Sequence, residues 1–341
     1  PLPKLLPTGS EFNRKFLKSR VLQNGDVKYK VRNMPLFKKR IRGYVSYFRG
    51  ASPVAFPDHE INFVKCKMSD YQFKSYRTVY SKEGPFRTGD IFKLPNNFFI
   101  GTRIISNIAF PNKEINISGY KSLKKEHMVL SELKQYSIKF YKIMKSLNKT
   151  EGNTFFYSSF KEYGGIKTFV KILEYHGYKN AKYHGPGKKR YAIWSGDEKH
   201  ETKEMIKDMF NDSKNKDGSQ IKILLGSPSI KEGVTLLRVQ KVFVLEPYWN
   251  FSRLQQVIGR AIRFCSHKDM PKSKRFVEVN IYVAYHPDLD ISIDKHIIQM
   301  AKNKQHIISQ FEMSLKESAV DCTVNKHANV YRGEDDIVCA M

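Results

Sequence analysis

The chain has 341 residues, 40% of them hydrophobic, enough to bury a core and to allow about two domains. Lys and Arg number 60 against 33 Asp and Glu, and the resulting charge of +27 is spread along the whole chain, which selects polyanions as partners, nucleic acid first and anionic membrane second. No run of about 18 apolar residues is present, residues 1 to 20 lack the apolar stretch of a signal peptide, and Cys66, Cys265, Cys322 and Cys339 form no CxxC pair. A membrane span, a zinc site and a disulfide framework are all disfavoured, and a reducing intracellular compartment is expected.

In chain order, Lys38, Lys39, Arg40 and Arg42 form a basic cluster that reads equally as a solvated face or a nucleic-acid contact. The alternation of Ile61, Phe63, Val64, Cys66 and Met68 predicts a strand, and "SDYQFKSYRTVY" carries the cap and aromatic spacing of a helix start. Residues 81–130 are expected to be an irregular linker or insertion, because "EGPF", "LPNNFFIG" and "FPNKEINISG" show no sustained period. From Ser131 the pattern is regular. One helix is expected over "LSELKQYSIKFYKIMKSL", then a buried strand at 153–159, then a helix at 164–178 with Ile166, Phe169, Val170 and Leu173 on one face and Gly177 at its C-terminal cap. A strand at 191–196, a helix over "KHETKEMIKDMFN", strands at 221–227 and 241–247, an arginine-bearing helix and a strand at 276–285 follow, and "SIDKHIIQMAKNKQHIISQFEMSLKESAV" closes the series as a helix. Strands alternating with helices predict an α/β fold: a parallel sheet over 131–320 with helices on both faces. The residues from 321 to 341 have no clear period.

In such a sheet ligands bind where the loops leave the carboxyl ends of the strands. Those loops hold Ser158 with Ser159, Ser195 with Gly196, Ser227 with Ser229, and Tyr248 with Trp249. Hydroxyls and backbone N–H groups at one edge can hold phosphate oxygens without reading bases, although any one serine is equally a helix cap. The run "QQVIGRAIRFCSHKD" has the spacing Q-x-x-G-R-x-x-R at Gln256, Gly259, Arg260 and Arg263. On a helix, residues three apart share a face, so the two guanidinium groups are expected to converge on one anion. His267 and Cys265 lack a second ligand pair, so no metal site is expected.

The order "FFYSSF", "YAIWSGD", "LLGSPSIKEGVTL", "LEPYWN", "QQVIGRAIRFCSHKD" resembles motifs four to six of superfamily-2 helicases, on their second RecA-like lobe. "EPYWN", "GRAIRFCSHKD" and "FEMSLKESAVDC" most resemble the Swi2/Snf2-like helicase ATPases of large nucleocytoplasmic DNA viruses, a group similar to the poxvirus early-transcription-factor small subunit and nucleoside triphosphate phosphohydrolase. The resemblance implies a RecA-like second lobe at 131–320, a tail at 321–341, and the end of a first lobe with its connection at 1–80, where "INFVKCKMSDYQFKSYRTVY" is similar to a closing strand and helix. It implies Arg263 as arginine finger, Arg260 beside it on the γ-phosphate, and Gln256 coupling nucleotide to lobe closure. Glu232, Gly233 and Gly259 would lie by the nucleotide. Ser227, Ser229, Ser158, Ser195 and Gly196 would touch the nucleic-acid backbone, with Trp249 packed near the groove. ATP with Mg²⁺ is the implied cofactor. The implied partners are nucleic acid (DNA ahead of RNA), a first lobe in cis or in trans, and RNA polymerase in viral transcription; the implied location is the virion or host cytoplasm.

A complete motor also needs G-x-x-x-x-G-K-[ST] and an acidic pair for Mg²⁺. Neither occurs here, since "GPGKKR" at 185–190 has the wrong spacing, so the chain is expected to be the later part of a motor, inactive without a first lobe. The competing class is a non-enzymatic nucleic-acid or polymerase adaptor derived from a helicase lobe, and a membrane-surface protein is a distant third. The reading frame upstream of Pro1 is expected to encode the missing loop followed by Asp-Glu. Sequencing the upstream transcript checks this, and a start codon directly at Pro1 would favour a split motor or the adaptor.

Overall fold

The computed structural model describes residues 6–23, 26–48, 55–86, 90–92, 94–95, 97–231, 234–330 and 336–339. The chain forms two compact units. One comprises Pro1–Pro53, Arg87–Asn96 and Gln299–Met341, the other Val54–Phe86 and Asn97–Ile298. These boundaries differ from the expected division at 80, 130 and 320.

The larger unit is built on strands β3 (Asp58–Lys67), β4 (Asn153–Tyr157), β5 (Lys179–Asn180), β6 (Arg190–Trp194), β7 (Ile223–Gly226), β8 (Val239–Val244) and β9 (Phe276–Tyr285). Their order is β3-β9-β8-β4-β7-β6-β5, and every pairing is parallel. Successive residues of a strand point to opposite faces, so the sheet builds two cores. Phe156, Ile223, Leu225, Phe243 and Tyr282 enter one, with helices Ile138–Lys149 and Ile166–Tyr175. Phe155, Tyr157, Leu224, Val242, Val244 and Val279 enter the other, with helices His200–Asn211 and Phe251–Ile258. The central strands β4 and β7 are buried along their whole length, as a parallel sheet covered on both faces requires. This is the expected RecA-like α/β architecture.

The strand at 58–67, expected as the closing strand of another lobe, lies in this sheet. It pairs with β9 in register over all ten residues, from Asp58 opposite Phe276 to Lys67 opposite Tyr285, and forms the edge of this same sheet. Its half-exposed alternation is that of an edge strand in either lobe, which is why sequence pattern could not place it.

Residues 81–130 are also more ordered than their lack of period suggests. They hold helices Ile100–Asn107, Ile117–Ser122 and Lys125–Met128. The first is capped from far along the chain: the Glu83 carboxylate accepts the Gly101 and Thr102 N–H groups at 2.9 Å each. In the second, Asn116 accepts from Ser118 N at 2.8 Å. Such short helices offer too few turns for a period to show. The helix expected over "LSELKQYSIKFYKIMKSL" is two, Leu130–Tyr136 and Ile138–Lys149. Ser137 breaks it in an extended conformation, donates to the Asn107 carbonyl at 2.5 Å, and caps the second helix by accepting from Phe140 N at 3.0 Å.

The smaller unit contains an antiparallel hairpin, β1 (Leu17–Val21) and β2 (Val27–Val31), with helices Gly9–Phe16, Met34–Ile41 and Cys322–Asn329. Phe12 and Phe37 meet Phe311 of the long helix Ile293–Glu317 with ring centroids 5.4 and 5.1 Å apart, and Phe16 meets Phe12 and Phe37 at 5.0 and 5.5 Å. Of the basic cluster, Lys38 pairs with Glu317 at 2.5 Å. Cys322 and Cys339 form a disulfide with their Cα atoms 5.7 Å apart, against the expectation of none. A separation of 17 residues carries no spacing signal, and the cysteine argument for a reducing compartment falls with it.

The larger unit has a buried ion pair, Lys139 to Asp294 at 2.7 Å, with the two side chains 0% and 1% exposed. Lys139→Met leaves the carboxylate buried without its cation, and a loss of about 3–5 kcal/mol is expected in urea unfolding. A change below about 1 kcal/mol would contradict the pairing.

Candidate nucleotide and nucleic-acid interface

Because all seven strands run parallel, their carboxyl ends open on one edge, where the serine loops emerge. Their side chains are not equally available. Ser158, Ser195 and Ser227 are buried at 0%, 3% and 4% exposure, whereas Gly196 is open and Ser229 and Trp249 are half-buried. The Ser195 hydroxyl accepts from Asp197 N at 3.4 Å, and the Ser227 and Ser229 hydroxyls lie 3.0 Å apart. β7 ends at Gly226 of necessity: a Cβ there would meet Phe155 Cε2 at 2.7 Å and Ile230 Cδ1 at 2.8 Å.

Ser158 has an internal role. Its hydroxyl donates to both carboxylate oxygens of Glu246, at 3.2 and 3.0 Å, and the Ser159 N–H donates to the same group. Asn107 adds its amide at 3.2 Å and accepts from Lys139 Nζ at 2.9 Å. Asp294, the ion partner of Lys139, accepts the Ala284 N–H at 2.7 Å. Burial raises the Glu246 carboxyl above its ordinary range, against the pull of Ser159 N–H, Lys139, Arg103 and Ser158. Arg103 is 4% exposed, and burial lowers its pKa, with Glu246 the largest opposing influence. Its guanidinium lies 4.8 Å from the Phe160 ring and 4.8 Å from the Trp249 ring. None of these supporting residues was expected from motif spacing. The available signal was a lone Arg and Asn inside the apolar run "FFIGTRIISNIAF" and a lone Glu closing "KVFVLE".

The arginine run differs from its expected form. The helix Phe251–Ile258 carries Gln256 and stops there, with Gly259 as its C-cap, so Arg260 and Arg263 lie in the turns beyond it. The backbone tightens, Arg260 N bonding to Val257 O at 3.1 Å and Ala261 N to Ile258 O at 2.9 Å. The Arg260 carbonyl is taken by Leu236 N at 2.9 Å, so it is not available to extend the helix. A Cβ at Gly259 would lie 2.9 Å from the Gln255 carbonyl oxygen. Farther on, Cys265 sits in the left-handed region at φ 55, a strained conformation for a non-glycine residue. Its N–H donates to Ala55 O at 2.8 Å. His267 is 1% exposed, with one ring nitrogen 2.9 Å from Val239 O and the other 2.9 Å from Ser266 Oγ. Arg263 N donates to that same serine oxygen at 3.3 Å. His267 and Ser266 thus pin the segment. Glu232 and Gly233 lie outside the described residues.

Gln256 and Arg263 are exposed and Arg260 is half-buried. Burial lowers the Arg260 pKa, and the positive charge of Arg263 lowers it further. Two neighbouring guanidinium groups fit the phosphates of a nucleotide, since an anion between them relieves their repulsion. Among the described residues no cluster of three His, Cys, Asp or Glu could hold a metal ion, and no helix is long and apolar enough to cross a membrane.

The parallel sheet covered by helices on both faces gives the RecA-like α/β fold. Residues 137–265 match the helicase conserved C-terminal domain. A protein of Acanthamoeba polyphaga mimivirus that bears the name of an ATP-dependent RNA helicase is 50% identical over 339 residues, covering 98% of this chain and 59% of that protein. A helicase-named protein of Invertebrate iridescent virus 3 is 30% identical over 86% of this chain and 32% of its own length. Nucleoside triphosphatase I of Melanoplus sanguinipes entomopoxvirus is 26% identical over 85% of this chain and 40% of its own length. The chain is thus similar to helicase-named and nucleoside-triphosphatase-named proteins of large DNA viruses and spans three fifths or less of these relatives.

The raised Glu246 pKa sets a pH dependence. The folded chain keeps this proton over a range where the unfolded chain, with an ordinary value of 4.5, has released it. The stability that this supplies is complete below the unfolded value and is lost as pH rises through the folded one. Relative to Glu246→Gln, the wild type is expected to lose stability as pH rises from about 4.5 toward neutrality. Urea midpoints of both proteins across that range check it, and a constant difference would contradict the burial.

Proposed function

We propose that the chain is the second lobe of an ATP-dependent nucleic-acid translocase or helicase acting in viral transcription. The observation that supports the reading is the position of Arg260 and Arg263, three residues apart in the segment immediately beyond the helix that follows β8. ATP supplies a phosphoanhydride whose cleavage drives the cycle. Arg263, exposed and tethered by Ser266, serves as the arginine finger, and Arg260 stands beside it against the phosphates. Gln256, one turn earlier on the exposed side of its helix, couples nucleotide to lobe closure. Glu232, Gly233 and Gly259 remain the proposed nucleotide-side residues of the adjoining loops.

The track runs along the serine edge. Gly196, Ser229 and backbone N–H groups of the loops bearing Ser158, Ser195 and Ser227 meet its phosphates, and the buried hydroxyls hold those loops in place. Phosphate contact of this kind does not read sequence. DNA stays ahead of RNA in this proposal, although the mimivirus relative bears an RNA helicase name. Mg²⁺ is assigned to an acidic pair on a first lobe, and RNA polymerase is the proposed further partner.

In the full-length, two-lobed protein, Arg263→Ala is expected to lower nucleic-acid-stimulated ATP hydrolysis by a factor of about 10³ or more, with nucleic-acid affinity little changed. Phosphate release with and without nucleic acid measures it. An unchanged stimulated rate would remove the finger assignment and favour an adaptor.

A further inference from the structure

Arg103 lies on helix Ile100–Asn107, in the segment expected to be irregular, yet it reaches the loops after two central strands. Phe160 follows β4 and Trp249 follows β8, strands that are neighbours in the sheet. The guanidinium is 4.8 Å from both rings. Contacts continue on the far side of the second loop: Trp249 stacks on Tyr248 with centroids 4.2 Å apart and planes at 22°, and the Arg253 guanidinium lies 4.5 Å from the Tyr248 ring. Arg253 also donates to the Tyr248 hydroxyl at 2.6 Å, and it stands on the helix that carries Gln256. A continuous series of contacts therefore runs from Phe160 through Arg103, Trp249 and Tyr248 to Arg253.

Two features set Arg103 apart from a core residue that is merely filled in. It is a cation at 4% exposure with a buried Nε–H that has no hydrogen-bond partner. A buried unpaired donor is destabilising, so the position gives up stability that an apolar residue would keep. Simultaneous contact with two rings from separate loops is what a planar delocalised cation supplies and what lysine, a compact point charge, does not.

We propose that Arg103 is a positioning residue for nucleic-acid binding: it sets the spacing between the loops after β4 and β8, so that their N–H groups meet successive phosphates of the track. The inference rests on the proposed function and adds to it a residue outside the helicase motifs. Arg103 itself touches no phosphate.

The test is fluorescence anisotropy of the full chain with a labelled DNA duplex and a labelled single-stranded RNA, across a salt series, with circular dichroism to confirm folding. Arg103→Gln is expected to weaken binding about tenfold while the slope of log affinity against log salt stays that of the wild type, because no phosphate contact is lost. Arg103→Lys is expected not to restore affinity. Phe160→Leu, which leaves the buried charges in place, is expected to weaken binding in the same sense and serves if Arg103→Gln does not fold. In a Trp194→Phe background the emission of Trp249 is expected to shift in Arg103→Gln, a change that distant loss of stability would not produce. Wild-type affinity in Arg103→Gln or in Phe160→Leu, rescue by lysine, or a slope reduced by about 0.7–0.9, the signature of one lost phosphate contact, would each overturn the positioning role. Failure of the wild type to bind either probe would instead remove the functional reading, and this inference with it.

Discussion

The ammonium of Lys139 and the carboxylates of Asp294 and Glu246 lie out of water at the carboxyl end of the sheet, joined through the amide of Asn107. Removing such charges from water costs several kcal/mol each, so each must be met by partners at fixed positions. Those partners come from helix Ile138–Lys149, helix Ile100–Asn107, the loop after β4, the backbone of β9 and the start of the last long helix. The ligand edge is consequently locked from beneath. A serine loop that shifted would strand the Glu246 carboxylate, and a shifted insertion would strand Lys139. The helix Ile100–Asn107 is on this account part of the lobe's interior, because Asn107 both closes the network and donates to the Gly164 carbonyl at 3.0 Å.

The arginine segment is held by a different means. Its helix stops before the two cations, and the turn beyond is fixed by hydrogen bonds to Leu236, Ser266 and Ala55 together with a left-handed Cys265. A continuous helix would have tied both guanidinium groups to one rigid cylinder. The turn instead presents Arg263 to solvent and keeps Arg260 partly covered, which distinguishes the two in a way that equal spacing on a helix would not. Strain of about 1–3 kcal/mol at one residue is affordable where surrounding bonds over-determine the conformation.

Much of this was legible beforehand where the signal is local. Apolar runs such as "NTFFYSS" and "FVEVNIYVAY" must be buried on both faces, and their alternation with amphipathic helices leaves a parallel sheet as the arrangement that covers them. The ligand edge follows from parallelism alone, and the Q-x-x-G-R-x-x-R spacing marked the arginines. The pattern of the arginine run misled about conformation because a helical period persists through a turn that tightens by one residue, and nothing in "GRAIRF" announces that Leu236 will take the Arg260 carbonyl.

The sequence by itself determined the class of fold, the edge on which the strand-end loops open and the residue types available there, since hydrophobic periodicity and charge act between near neighbours. Tertiary structure alone decided that β3 joins this sheet, that Glu83 caps a helix 17 residues downstream of it, that Ser158 bonds to Glu246, that Cys322 meets Cys339, and that Arg103 packs against both Phe160 and Trp249. Each of these depends on groups that are distant along the chain and become partners only when burial removes water as the alternative. No local pattern encodes which of many polar residues will be the one left to satisfy a buried charge.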